Sequence, residues 1–178
     1  ATVTIEGYEL IRFSPDGVWS YHFTGWSVAK GAFELVSYTA GDEVTMSNHD
    51  INLFAQWDKV ATITVDANAA IAIKTEYKDA LHTFYIPEYF NGTRIKTIKQ
   101  RAFYESSIEE IVIPPSITLV QLEAFEDWTG SVLRFIDNDI TTKYPALNLE
   151  QDCFNLTPNL VDILIPYRWR ECDGPIFP

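Results

Sequence analysis

At 178 residues, 47% hydrophobic and 21% charged, the chain has a globular composition and room for one ordinary domain or two small ones. Its formal net charge of −12 excludes the basic footprint of a nucleic-acid binder and disfavours docking on anionic lipid. No run approaches the roughly 18 apolar residues of a membrane span, and an aromatic content of 14% leans towards sheet.

Ala1-Thr2-Val3-Thr4 carries no charged leader followed by an apolar run, so any export signal lies upstream of it or has been removed. Residues 21–57 contain Tyr21-His22-Phe23-Thr24-Gly25-Trp26, then Tyr38-Thr39-Ala40-Gly41-Asp42, then Leu53-Phe54-Ala55-Gln56-Trp57. Alternation at Tyr21 and Phe23, and at Leu53, Ala55 and Trp57, predicts strands; Gly41-Asp42 predicts a turn. The order aromatic-Gly-Trp, aromatic-Ala-Gly-Asp and Leu-aromatic-Ala-Gln-Trp resembles the Listeria–Bacteroides repeat of the internalin B-repeat type. That resemblance implies a small β-grasp-like module over residues 1–58. Gly7-Tyr8 through Asp16-Gly17-Val18-Trp19 match its opening strand less closely.

Val60, Ile63-Thr64-Val65 and Ala70-Ile71-Ala72-Ile73 predict two strands, joined by a hairpin at Asp66-Ala67-Asn68. They read as an N-terminal cap over residues 59–80, covering the exposed edge of the segment that begins at residue 81. With no Pro/Gly/Ser-rich linker, the two parts are expected to join near Asp58-Lys59.

From residue 81 a pattern recurs. Ile98, Ala102-Phe103, Ile108, Ile111 and Ile113-Pro114 are succeeded 22 residues on by Val120, Ala124-Phe125, Leu133 and Phe135. A third pass gives Cys153-Phe154, Leu160, Ile163 and Ile165-Pro166, stretched to 29 residues by an insertion around Asp137–Asn148. Leu81, Phe84 and Ile86-Pro87 repeat the strand portion alone. Apolar residues spaced three and then two apart present one inward ledge, and proline turns the chain away afterwards. A single unit cannot bury that ledge, so neighbours must stack. The pattern resembles the BspA-type leucine-rich repeat of bacterial and some protist surface proteins, over about residues 81–166. The fold expected is mainly β with short helical turns: the β-grasp-like module, then a short leucine-rich-repeat solenoid over 59–178 whose C-terminal cap is 167–178. Phe135-Ile136-Asp137 replaces the Ile-Pro step and leaves the register of the middle strand open.

Chemistry-bearing motifs are sparse. His22, His49 and His82 lie in separate segments without ligand spacing, so no metal site and no cofactor are expected. Asp137-Asn138-Asp139 lacks the glycine and distal Glu of a calcium hand and reads as a turn. There is no Gly-x-Ser-x-Gly, phosphate-cradling loop or Cys-x-x-Cys. Paired carboxylates such as Glu109-Glu110 read as a solvated face. Cys153 and Cys172 pair in an oxidising compartment if their backbones approach; otherwise Cys153 is a buried structural thiol. Asn91-Gly92-Thr93 and Asn155-Leu156-Thr157 fit the glycosylation sequon, which matters only in a eukaryotic secretory path.

What remains is a recognition surface. In the repeat Leu-x-x-Ile-x-Ile the x positions point away from the ledge, and they nominate Tyr85, Glu109, Glu110, Val112, Asp162 and Leu164, with Arg134 if the 22-residue shift holds. Val112 and Leu164 favour contact, as apolar residues on an exposed ledge. The resemblance implies a non-catalytic, exported or cell-surface bacterial fragment that mediates adhesion, with a host or bacterial surface protein or a glycan as partner. The oligomeric state stays open. A purely structural stalk within a longer surface protein, and a glycan-directed enzyme using strand-face carboxylates, are the alternatives.

Overall fold

A computed structural model describes residues 2–7, 10–31, 33–46, 50–136, 146–164 and 169–172, with side chains undescribed at Leu164 and Trp169–Cys172. The chain divides into two compact units, Ala1–Ser14 with Trp19–Ala61, and Pro15–Val18 with Thr62–Pro178. Strand dominates. Among the described residues the helical content is one 3-10 turn, Thr75–Tyr77, so the short helical turns expected within each repeat are replaced by another device.

The first unit holds β1 (Thr2–Thr4), β2 (Ile11–Phe13), β3 (Trp19–Ser27), β4 (Glu43–Thr45) and β5 (Phe54–Ala61). β1 and β4 form an antiparallel pair, and β2, β3 and β5 an antiparallel sheet in that order. The β3–β5 register slips between Phe23 and Gly25, a bulge that turns the strand. Gly25 lies at φ +150, and a Cβ there would meet the Tyr38 carbonyl oxygen and Val36 at 2.6 Å, so only glycine fits. One sheet face stacks Phe23 edge-on against Trp26 and Trp57, with Arg12 over Trp57 and Lys59 over Trp19. Gln56 is buried and fully used: its amide nitrogen donates to the Gly31 and Phe54 carbonyls, and its oxygen accepts from the Glu34 amide.

The second unit contains β6 (Ile63–Val65), β7 (Ala70–Ile73), β8 (Thr83–Tyr85), β9 (Tyr89–Phe90), β10 (Thr93–Arg94), β11 (Thr97–Ile98), β12 (Glu110–Ile113), β13 (Leu119–Val120), β14 (Val132–Phe135), β15 (Leu147–Leu149), β16 (Asp162–Leu164) and β17 (Trp169–Cys172). β6 and β7 form the hairpin read from the sequence, with the Asp66 carboxylate accepting from the Asn68 and Ala70 amides. β7, β11, β13, β15 and β17 then run parallel in one sheet, and β8, β12, β14 and β16 parallel in a second. Each repeat therefore contributes two strands, where the sequence showed one. The middle strand keeps the 22-residue shift, since Ile111 pairs with Leu133 and Val112 with Arg134.

The turn between the two strands of each layer is built the same way every time. Arg101, Glu123 and Asp152 adopt left-handed backbone at φ 57, 57 and 54, and Glu105, Asp127 and Leu156 do so at φ 54, 54 and 50. Between each pair sits the small-Phe step. Backbone bonds also run from layer to layer here: the Phe103 amide donates to Ala124 and the Phe125 amide to Cys153. Ala102, Ala124 and Cys153 occupy one buried position, where only a small side chain leaves room for the neighbouring turn. Cys153 thus takes the place of an alanine; the Cys172 side chain lies outside the described residues. Phe103, Phe125 and Phe154 stack in turn, with Phe84 against the first and Trp128 against the second.

Candidate interaction surface

The four parallel strands β8, β12, β14 and β16 bring most of the predicted site residues into two rows. Phe84, Ile111 and Leu133, all fully buried, alternate with the residues on either side of them, so those neighbours face outwards. One outward row is Thr83, Glu110, Val132 and Asp162. The other is Tyr85, Val112 and Arg134, with Leu164 in register through its backbone; its side chain lies outside the described residues. Glu109 precedes β12 and is exposed, as are Arg134 and Asp162. Tyr85 is 44% exposed.

Val112 departs from expectation. It lies in the outward row but is 3% exposed, so it is not an apolar ledge open to contact. β12 is a central strand, and Val112 is flanked in register by the much longer Tyr85 and Arg134. A short β-branched residue between two long ones is shielded from water.

An ion pair and a histidine–carboxylate contact organise the polar members. Arg134 Nη2 lies 2.9 Å from Glu110 Oε1, and His82 Nε2 lies 2.7 Å from Glu109 Oε2. The Arg134–Glu110 link crosses from β14 to β12 and holds the guanidinium along the face. In this exposed setting such a pair is worth about 0.2–1 kcal/mol, enough to orient but not to hold the fold. A second charged group lies on the small-Phe turns. Arg101 reaches Glu123 at 3.0 Å and Glu126 at 3.1 Å, and these two carboxylates, Glu123 first, raise its pKa above the ordinary guanidinium value.

His22 Nε2 is 3.0 Å from the Ser20 hydroxyl, His82 is engaged as above, and His49 and the Asp137-Asn138-Asp139 turn lie outside the described residues. Among the described residues no group of three or more His, Cys, Asp or Glu is placed to hold a metal ion, and no helix is long and apolar enough to cross a membrane.

The family model described as the BspA type leucine rich repeat region, in 6 copies, matches residues 31–131 and 81–177. The chain belongs to this family. A solved leucine-rich repeat protein from Bacteroides capillosus ATCC 29799 is similar at 16% identity, with a TM-score of 0.38 over 64% of this chain and 92% of that one. No curated protein matches.

In this BspA-type chain three features escaped the sequence reading. The strands β11, β13 and β15 make up half of a second, six-stranded sheet. Trp128, completely buried, donates from Nε1 to the Ile108 carbonyl at 2.8 Å. Gly130 sits beneath that indole ring, where a Cβ would collide with Trp128 and with the Ile108 carbonyl. The one sequence signal for this arrangement is the Trp-Thr-Gly spacing at residues 128–130, and it occurs in a single repeat.

Proposed function

We propose that this chain is a non-catalytic binding module of an exported bacterial surface protein, and that it grips a protein or glycan partner on the outer face of β8, β12, β14 and β16. In this reading residues 59–178 are a short solenoid, with 59–80 as its N-terminal cap and 167–178 as its C-terminal cap. Residues 1–58 are a β-grasp-like spacer of the Listeria–Bacteroides repeat type. The observation that supports the binding face most is the pairing in register of exposed Tyr85 and Arg134 on either side of buried Val112, beside Glu110. An aromatic ring, a guanidinium and carboxylates on one stiff parallel ladder match the residue types that carry binding energy at interfaces. Tyr85, Glu109, Glu110, Arg134 and Asp162 supply the contacts, Val112 supports them from below, and Leu164 extends the row. For the spacer, the support is that Gly25 and Gln56, two residues of the resemblance, each have a conformational or hydrogen-bonding role that other residues cannot fill.

The test is a panel of bacterial and host surface proteins and glycans, probed with the intact chain and with the Tyr85→Ala/Glu110→Ala double variant. Binding that falls at least tenfold in the double variant supports the face. A binding profile the double variant leaves unchanged points to a stalk, and glycan hydrolysis would replace the module with an enzyme.

A further inference from the structure

The loop that follows β3 in the first unit exposes Phe33 to 65%, Leu35 to 90% and Val36 to 40%. So many open apolar side chains in one short segment call for a reason. The loop is built to hold them where they are. Gln56, 1% exposed, ties it to β5 by donating to the Gly31 carbonyl and accepting from the Glu34 amide. Further on, the Ser37 amide donates to the Trp26 carbonyl at 2.7 Å, and the Trp26 amide to the Tyr38 carbonyl at 2.9 Å. Phe33 rests against Tyr21, with ring centroids 6.3 Å apart, and is braced there while most of it stays open.

Between this loop and β5 runs a groove of about 480 Å³, inside the range of roughly 300–1,000 Å³ typical of small-ligand sites. Phe33 and Trp57 give it aromatic walls, and Thr24, Glu34, Asp58 and Lys59 give it polar groups. The Lys59 ammonium lies over the Trp19 ring at 3.9 Å. Among the described residues, the Glu34 and Asp58 carboxylates and the Thr24 hydroxyl have no hydrogen-bond or ion-pair partner in the protein.

These groups set what fits. Ionised carboxylates only accept hydrogen bonds, so the ligand must bring donors. Two carboxylates against one ammonium, on a chain of formal charge −12, repel phosphate, sulfate and uronate groups. Aromatic walls call for a flat apolar face. A neutral sugar ring has both, with hydroxyls around its rim and C–H groups across its face. We propose that this groove binds a neutral polysaccharide. One sugar ring stacks on Phe33, its hydroxyls donating to Glu34 and Asp58 and accepting from Lys59. Because Gln56 fixes the loop beforehand, little ordering opposes binding. The site lies wholly within the first unit and goes beyond the face of β8, β12, β14 and β16, on which it does not depend.

Affinity electrophoresis of the whole chain tests this, in native gels containing laminarin, mannan, galactomannan or hydroxyethylcellulose, with alginate as the anionic comparison. The expected result is retardation by at least one neutral polysaccharide, unchanged by salt, and none by alginate. Phe33→Ala and Asp58→Ala, both at exposed positions, each weaken the affinity at least tenfold with the circular dichroism spectrum and melting curve unchanged. The Tyr85→Ala/Glu110→Ala double variant is retarded as the unmodified chain is. Free mobility in every neutral gel overturns the proposal. So does retardation that survives both groove substitutions, disappears in the double variant, fades as salt rises, or occurs in alginate.

Discussion

The rings of Phe103 and Phe125 lie 4° from parallel with their centroids 5.3 Å apart, although 22 residues separate them. Phe154 continues the stack at 5.4 Å, so Phe125 has an aromatic neighbour on both faces, with Trp128 against it as well. Phe125→Ala is expected to cost about 3–5 kcal/mol, because neighbouring layers held by their own backbone bonds cannot collapse into the cavity. Phe125→Leu refills most of the volume and should cost clearly less. Urea unfolding monitored by circular dichroism reads both; equal losses for the two variants would mean that ring stacking, not filled volume, sets the cost.

Gly130 makes a different demand. Its Cα lies under the Trp128 indole, whose Nε1 is held by the Ile108 carbonyl, so a methyl group there must displace either the ring or the backbone. Gly130→Ala is expected to destabilise by about 1–3 kcal/mol and to expose Trp128 to water. A red shift in tryptophan emission of the folded variant would report the displaced ring. An unshifted spectrum with unchanged stability would show that the turn yields without strain.

The stack was legible in advance because its residues recur at a nearly fixed period. Phe103, Phe125 and Phe154, and the ledge of Ile111, Leu133 and Ile163, are large apolar residues that only a repeating interior explains. The second sheet was hidden because β11 and β13 hold two residues each and β15 three, too few for alternation to register. The turns were hidden for another reason. Their left-handed positions carry Arg101, Glu123 and Asp152 rather than glycine, so no turn signal marks them; the carbonyl of each accepts from the amide three residues on, which closes the turn. On the outer face, period-two alternation placed Tyr85, Val112 and Arg134 correctly in one row. It could not reveal that Val112 is covered, since coverage depends on the length of the side chains in the neighbouring strands.

In the first unit the equivalent test falls on Gln56. Its side chain fastens the segment carrying Gly31 and Glu34 to β5 through bonds of 2.8 Å to the Gly31 carbonyl and 2.6 Å from the Glu34 amide. Gln56→Ala leaves both backbone groups without this partner and is expected to cost about 1–3 kcal/mol. Gln56→Glu keeps the acceptor but loses the donor and brings a buried charge, so it should be at least as harmful near neutral pH. Amide hydrogen exchange at Glu34 is the local readout; protection that persists in Gln56→Ala would mean this segment is held by other contacts.

Acid sensitivity should trace in part to Asp66 in the β6–β7 hairpin. The Ala70 amide is the main cause holding its carboxyl below the ordinary value of 3.8, with the Asn68 amide and Lys99, 3.6 Å away, acting in the same direction. In the unfolded chain the same carboxyl returns to its ordinary value and binds a proton more readily. The hairpin therefore has the full benefit of the ionised carboxylate above about the usual carboxylate range, and loses it as pH falls through that range towards the lower folded value. Asp66→Asn keeps an oxygen that can accept from the two amides but removes the titration. Its stability should be lower than that of the unmodified chain at neutral pH, and the difference should shrink as the solution is acidified below the range in which free aspartate titrates. Melting temperatures of the two proteins measured across acidic pH decide it: curves that stay parallel all the way down would show that the ionised state of Asp66 adds nothing to the fold.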